Sequence, residues 1–107
     1  DIARAGGFTE IRRIAAMASA KGIRLAPHAW GSGVLFAASI HVAMSSVNCH
    51  ILEVSQGHMP MMNELFEESY DIRDGTVYAP QRPGLGFTLR KDVLEQFRYL
   101  EGPEYIF

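Results

Sequence analysis

The amino-acid sequence predicts an α/β fold whose strands run parallel. Three observations support this class: stretches with helical spacing of apolar residues alternate with short apolar runs, an ionisable side chain stands where each run ends, and glycine or proline marks most transitions. The order helix, strand, helix, strand is typical of parallel α/β architecture. There is no internal repeat and no sharp domain boundary, so we expect residues 1–107 to form one structural unit.

The first long helix is predicted to follow Gly6 and Gly7. Thr9 is a candidate N-cap, and the apolar residues after it recur at helical spacing up to Lys21. Gly22 then ends the helix, because glycine readily takes the left-handed conformation found at helix C-termini.

A buried strand is predicted over residues 23–27. This apolar run is too short for another helix, and Pro27 ends an extended ladder because proline has no N–H donor. His28 therefore stands at the C-terminal tip of a strand, where the chain enters a loop.

The second helix is predicted over residues 34–46, and the next strand over residues 50–54. The helix has so little polar surface that it must pack on more than one side, and His41 within it is expected to have a structural or surface role. Glu53 lies near the C-terminal end of the strand, so this strand also ends in an ionisable group.

Shorter elements are predicted in the remainder of the chain. A short helix is expected over residues 61–66, and Asp74-Gly75 indicates a turn before a strand at 76–79. Helical spacing returns over residues 92–100.

Composition excludes several functional classes. The formal net charge of -2 gives no indication of nucleic acid or an anionic membrane as partner, and about 18 uninterrupted apolar residues, the length needed to cross a bilayer, do not occur. A cytoplasmic location is the default expectation. Cys49 is predicted to be a buried, inert thiol, and no His-x-x-x-His or Cys-x-x-Cys pattern indicates zinc.

Three candidate catalytic residues are placed at strand ends: Asp1, His28 and Glu53. Parallel α/β barrels carry their reactive groups at the C-terminal ends of strands. Histidine accepts a proton near neutral pH when a partner holds one ring nitrogen and leaves the other free. The sequence therefore predicts a proton-abstracting pair in which Asp1 orients His28.

Several motifs in a fixed order carry a resemblance to a known family. They are Asp1 with Ala5-Gly6-Gly7 and Glu10, then Pro27-His28, then Glu53, and finally Asp74-Gly75 followed by Pro83-Gly84-Leu85-Gly86. No single motif is specific, but their joint order resembles the last barrel strands of the mandelate racemase/muconate lactonizing enzyme family of the enolase superfamily, over nearly all of the chain.

The resemblance implies a TIM barrel, of which this chain is the C-terminal and incomplete part. A complete eight-stranded barrel needs at least about 200 residues. In the family, carboxylates on earlier strands hold a magnesium ion that binds the substrate's carboxylate, and a capping domain covers the site. We therefore expect Mg²⁺ in a full-length parent, with ligands that are not in this chain.

The resemblance also implies a role for each candidate residue. His28 resembles the general base that removes the proton alpha to a carboxylate, Asp1 its orienting partner, and Glu53 the acid that hydrogen-bonds the developing enolate oxygen. Enolase-superfamily sites pair a Lys or His base with magnesium. Trp30 either lines the substrate pocket, which is the role we assign to it, or packs under the capping domain.

The predicted function is that of a fragment of a mandelate racemase-like enzyme acting on a small, hydroxylated, sugar-derived carboxylic acid. Dehydration, epimerisation and cycloisomerisation all begin with removal of the alpha proton, so the reaction stays open. We expect the chain alone to be inactive, and to form homo-oligomers because an incomplete barrel exposes unpaired strand edges. The alternative is a non-catalytic α/β module that serves in assembly.

Overall fold

The computed structural model describes residues 1–102. The predicted single unit ends at residue 107, so its last five residues lie outside the described range. The helices are α1 (Ile2–Ala5), α2 (Phe8–Ala20), α3 (Gly33–Ser45), α4 (Pro60–Asn63) and α5 (Lys91–Gln96), and the strands are β1 (Ile72–Arg73) and β2 (Thr76–Val77).

Helix α1 is a short helix that was not predicted from the sequence. The side chain of Asp1 caps it by accepting a hydrogen bond from the Arg4 N–H at 3.0 Å, and Gly6 ends it in the left-handed conformation with φ of 99°. Ile2 is buried and packs against α2 and α3. Asp1 is therefore the N-cap residue of a helix. Four helical residues are too few to show a recognisable apolar period, so this helix could not be predicted from spacing. The predicted place of Asp1 at a strand end stays a prediction.

Helix α2 begins earlier than predicted. The N-cap is Gly7 and the first helical residue is Phe8, so the prediction of Thr9 as N-cap was wrong. Thr9 lies inside the first turn, and no side chain caps the helix. The predicted end at Lys21 agrees with the structure, where Lys21 is the C-cap residue.

The two predicted parallel strands are adjacent and parallel, but much shorter than expected. Leu25 of the predicted strand 23–27 pairs in a single parallel bridge with Cys49, which lies one residue before the predicted strand 50–54. Two backbone hydrogen bonds of 2.9 and 3.2 Å flank the bridge, and the N–H of His50 donates the second. Pro27 cannot donate a further ladder bond, which limits the pairing on that side. The parallel direction of the α/β class is correct, and the strand lengths were wrong.

Helix α3 is the centre of the molecule. Ser32 caps it by accepting a hydrogen bond from the Leu35 N–H at 3.4 Å. Five consecutive residues, 36–40, are buried, and the helix contacts α1, α2 and α4. The prediction that this helix packs on more than one side is confirmed, and its bounds differ from the predicted 34–46 by one residue at each end.

The C-terminal part contains the predicted turn between shorter elements than expected. Asp74 and Gly75 both have positive φ, 49° and 74°, which matches a two-residue hairpin turn between the antiparallel strands β1 and β2. The strand predicted at 76–79 is limited to β2. The helices predicted at 61–66 and 92–100 are the shorter α4 and α5.

Two other predictions concern single side chains. Cys49 is half-buried and not buried as predicted, because it lies on the segment that pairs only at one bridge. His41 has a structural contact, since its Nε2 lies 3.1 Å from the carbonyl oxygen of Leu85. Among residues 1–102, no helix is long and apolar enough to cross a bilayer.

Candidate active site

Asp1 and His28 lie side by side. The Nδ1 of His28 is 3.4 Å from the Oδ2 of Asp1, and the side chain of Asp1 is 12% exposed while that of His28 is 52% exposed. The other oxygen of Asp1 is the one that caps α1. A separation of 3.4 Å is slightly longer than an ordinary hydrogen bond, as is common at catalytic pairs without substrate.

Glu53 lies on the opposite side of the same imidazole. Its Oε2 is 3.7 Å from the Nε2 of His28 and accepts a hydrogen bond of 3.2 Å from the backbone N–H of Ala29. The ring of His28 therefore stands between two carboxylates, one facing each nitrogen. The structure brings together all three predicted catalytic residues, and their chemical roles stay predictions.

One apolar cluster, which we name the seat cluster, packs beneath the segments that carry His28 and Glu53. Its buried members are Ala29, Phe36, Ile40 and Met62. Leu52 and Val54 pack against it, so the side chain between them is directed to the other face of an extended segment, as alternation along a strand requires. Glu53 is thereby held at the surface, with its side chain 49% exposed.

The arrangement determines which nitrogen of His28 can act as a base. A carboxylate only accepts hydrogen bonds, so contact with Asp1 requires the proton of the neutral imidazole to be on Nδ1. The Nε2 then carries the lone pair, and it is the nitrogen that faces Glu53. An imidazole held this way can accept a proton from a molecule placed on the Nε2 side.

Trp30 is an exposed aromatic residue on the same loop. It is 58% exposed, whereas the intervening Ala29 is 2% exposed. Ala29 therefore packs into the interior, and the indole of Trp30 stays at the surface, two positions after His28. Contact with substrate stays a prediction for Trp30.

The part of the chain that the structure describes does not form a magnesium site by itself. No group of three or more His, Cys, Asp or Glu side chains in residues 1–102 could hold a metal ion. The carboxylates of Asp1 and Glu53 flank an imidazole instead of sharing an oxygen cage, and each accepts a hydrogen bond from a backbone N–H. These residues do not fit a complete magnesium centre.

Two groups that orient the site were not predicted from the sequence: the backbone N–H groups of Arg4 and Ala29. The first fixes one oxygen of Asp1 and the second fixes one oxygen of Glu53. Every residue except proline has a backbone N–H, so the residue type does not indicate which N–H binds a side chain. For Asp1, an N-cap preference one position before a helix is a signal that could have indicated the contact.

His28 and Glu53 follow two segments that meet in a parallel bridge, which is the placement of site residues expected of an α/β barrel protein. The chain belongs to the enolase C-terminal domain-like family, whose model matches residues 1–93. This domain is the TIM-barrel part of enolase-superfamily proteins, so both the predicted family and the predicted fold class, a C-terminal portion of the barrel, are confirmed.

Two curated relatives illustrate the similarity. The chain is 35% identical to the D-galactarolactone cycloisomerase of Agrobacterium fabrum over 106 residues, covering 92% of this chain and 28% of that protein. It is 33% identical to the arabinonate dehydratase of Saccharolobus solfataricus over 98 residues, covering 92% and 26%. Its relatives thus include acid-sugar dehydratases and a cycloisomerase, and the chain spans about a quarter of their length.

Solved structures agree with this assignment. A mandelate racemase/muconate lactonizing enzyme from Jannaschia sp. CCS1 superposes with a TM-score of 0.81 at 35% identity, covering 94% of this chain and 25% of that one. A member of the enolase superfamily from Polaromonas sp. JS666 gives 0.80 at 34% identity, covering 95% and 27%.

Proposed function

We propose that this chain supplies the general base, its orienting carboxylate and an acid of an enzyme that removes the proton alpha to the carboxylate of a hydroxylated, sugar-derived acid. The observation that carries the proposal is the imidazole of His28 between Asp1 and Glu53, at 3.4 and 3.7 Å. Relatives named as a D-galactarolactone cycloisomerase and an arabinonate dehydratase support the substrate class.

His28 is the base in this proposal. Its Nε2 takes the alpha proton while its Nδ1 keeps a proton that is hydrogen-bonded to Asp1. Glu53, in its carboxylic acid form, donates a hydrogen bond to the enolate oxygen on which negative charge develops. A positioned general base typically contributes about 10²- to 10⁴-fold to the rate. Magnesium, on which enolase-superfamily enzymes depend, supplies electrostatic stabilisation of the enolate when it is bound.

The fate of the enolate distinguishes the possible reactions. Loss of a β-hydroxyl gives dehydration, return of a proton to the opposite face gives epimerisation, and cleavage of a ring C–O bond gives cycloisomerisation. All three begin with the step assigned to His28, so this chain's residues supply the common step. Trp30 is proposed to contact the carbon chain of the substrate, because its ring offers an exposed apolar face beside the base.

The 107-residue chain alone is proposed to be inactive. The two curated relatives named above are about three and a half times as long, and no group of candidate ligands in residues 1–102 could hold the metal that stabilises the enolate. We expect no magnesium-dependent exchange of alpha protons with deuterium when the purified chain is incubated in D₂O with a panel of acid sugars. Measurable exchange by the chain alone would show that it needs no further residues.

The role of His28 is tested in a longer protein that contains this chain. His28→Asn should abolish exchange of the alpha proton, measured by NMR in D₂O, while magnesium binding is retained. The matched control is His58→Asn, because His58 is 73% exposed and contacts Glu64 instead of the site. Exchange retained in His28→Asn would remove His28 from the role of base. A longer protein that lacks exchange altogether would favour the assembly module.

A further inference from the structure

We infer that Tyr70 is a positioning residue for the Glu53 side of the site and that it acts through Met62 and Ala29. Its meaning for catalysis rests on the proposed function. The physical coupling, from the hydroxyl of Tyr70 to the carboxylate of Glu53, is a property of the fold and can be tested separately.

The hydroxyl of Tyr70 joins two separate parts of the backbone. It lies 3.0 Å from the carbonyl oxygen of Met62 in α4 and 3.4 Å from the carbonyl oxygen of Gly33, the first residue of α3. Burial raises the pKa of Tyr70 to about 12, so the hydroxyl keeps the proton that it donates. The ring packs edge-on against Phe36 at 4.7 Å between centroids.

The space beside this hydroxyl is filled. A Cβ placed on Gly33 would lie 2.8 Å from the Oη of Tyr70 and 3.0 Å from the Cε2 of Phe66. The start of α3 thus packs directly against the hydroxyl, without room for a methyl group. Gly33 follows Trp30 by three residues, so this contact lies at the C-terminal end of the loop that carries the site.

The next link is the seat cluster. Met62 and Ala29 are each 2% exposed and belong to the same cluster, and Tyr70 packs against that cluster too. Since protein interiors are close-packed, a shift of Met62 is transmitted to its neighbours in the cluster. Tyr70 therefore constrains Ala29 by two routes. One runs through Met62 in the seat cluster, and the other runs through Gly33 at the start of α3.

The last link is the hydrogen bond from the Ala29 N–H to the Oε2 of Glu53, which is 3.2 Å long. That distance is already near the upper limit for such a bond, so a small displacement of Ala29 weakens it. The same oxygen of Glu53 is the one that faces the Nε2 of His28. Loosening Tyr70 should therefore release Glu53 from its place beside the base.

The experiment is amide hydrogen exchange followed by mass spectrometry, on the whole protein. Tyr70→Phe removes the hydroxyl and keeps the ring contacts. We expect exchange in peptides spanning residues 26–32 to accelerate about tenfold, the size expected when a hydrogen bond worth about 1.4 kcal/mol is lost. Peptides within α2 should be unchanged. The matched control is Tyr99→Phe, because Tyr99 is 84% exposed. It should leave exchange unchanged both in 26–32 and in α2. Equal acceleration in both sets of peptides, or none in 26–32, would overturn the inference.

A second variant tests the packing directly. Gly33→Ala should accelerate exchange in 26–32, because its Cβ displaces the hydroxyl of Tyr70. In the Tyr70→Phe background the same substitution should have a smaller effect, since the contact at 2.8 Å is gone and only those to the Cε2 of Phe66 and the carbonyl oxygen of Met62 remain. Independent, multiplicative effects of the two substitutions would overturn direct coupling between Gly33 and Tyr70.

The effect on catalysis is measured as kcat and KM in a longer, active form of the protein. Tyr70→Phe should lower kcat about tenfold with little change in KM, because Glu53 is assigned to a contact with the enolate and not with the bound ground state. An unchanged kcat would overturn the positioning role. If the unsubstituted protein shows no activity, the proposed function fails, whereas the exchange measurements still decide whether Tyr70 holds Ala29.

Discussion

The carboxylate of Asp1 has two different partners, because its Oδ2 lies 3.4 Å from the Nδ1 of His28 while its Oδ1 accepts a hydrogen bond from the Arg4 N–H. A helix of only four residues, α1, therefore fixes the rotation of the side chain that meets an imidazole 27 positions away. Since separate oxygen atoms make the two contacts, substitutions can separate the cap from the contact with His28.

Asp1→Asn should leave stability nearly unchanged and lower the rate of alpha-proton exchange by at least about 10²-fold. Asparagine caps a helix about as well as aspartate. Its second atom, however, would be an NH₂ group facing Nδ1, which favours the tautomer with the proton on the wrong nitrogen. Urea unfolding of the chain gives the first quantity, and NMR of substrate in D₂O with a longer protein gives the second.

Asp1→Ala provides the comparison. It removes both contacts, so we expect the same loss of exchange together with a loss of about 1 kcal/mol in the free energy of unfolding. If Asp1→Asn exchanges the alpha proton as fast as the unsubstituted protein, Asp1 does not orient the base.

The nearness of His28 and Glu53 could be predicted because it depends on chain order and strand direction. Pro27-His28 and Glu53 end adjacent parallel segments, and such ends meet at one edge of a sheet. The short helix after Asp1 could not be predicted, since a single turn has no periodicity. Gly7 as N-cap in place of Thr9 shows the same limit: candidate caps one or two positions apart are distinguished by backbone geometry, which composition does not reveal.

Strand lengths were wrong for a different reason. The apolar runs at 23–27 and 50–54 are long enough for strands, but ladder length depends on neighbouring strands as well as on local sequence. Within residues 1–102, the only parallel bridge joins Leu25 in the first run to Cys49, one residue before the second run. Tertiary context, not the residues themselves, therefore decides how much of each run is paired.

Gly86→Ala should destabilise the chain by roughly 2–4 kcal/mol. Gly86 has φ of 85°, and a Cβ there would clash with the ring of Pro80, so backbone strain and a steric clash add. Gly84→Ala is the matched control, because Gly84 has φ of 67° with nothing within 4 Å, and it should cost only about 1–2 kcal/mol. Urea denaturation measures both, and equal losses would contradict the close approach to Pro80.

The raised pKa of Tyr70 predicts a loss of stability in alkaline solution. Its pKa is about 12 in the folded chain against an ordinary value of 10.0, so the folded state binds more protons than the unfolded state between these values. Stability from this group is fully present below pH 10 and is lost as pH rises toward 12, by roughly 1–2 kcal/mol after allowance for solvent screening. Urea unfolding at pH 9 and 11 measures the effect, and Tyr70→Phe should remove that part of the pH dependence. An unchanged pH dependence in Tyr70→Phe would contradict the burial of the hydroxyl.

The purified 107-residue chain should self-associate through the paired segments. Ile23 and Ile51 lie on them and are 59% and 60% exposed, beside backbone groups that have partners on one side only within the described residues. Exposed apolar residues at an unpaired edge favour pairing with another chain. We expect light scattering to give a mass above 11.9 kDa at micromolar concentration.

Ile51→Lys should shift this association toward the monomer, because a charge on an edge segment opposes edge-to-edge pairing. Met17→Lys is the matched control: Met17 is 72% exposed, but it lies on α2, whose backbone is already hydrogen-bonded within the helix, so its substitution should leave the mass unchanged. Equal effects of the two variants would indicate general apolar contact instead of strand pairing. A compact monomer with slow amide exchange in the unsubstituted chain would show that the short bridge between Leu25 and Cys49 protects both segments without a partner.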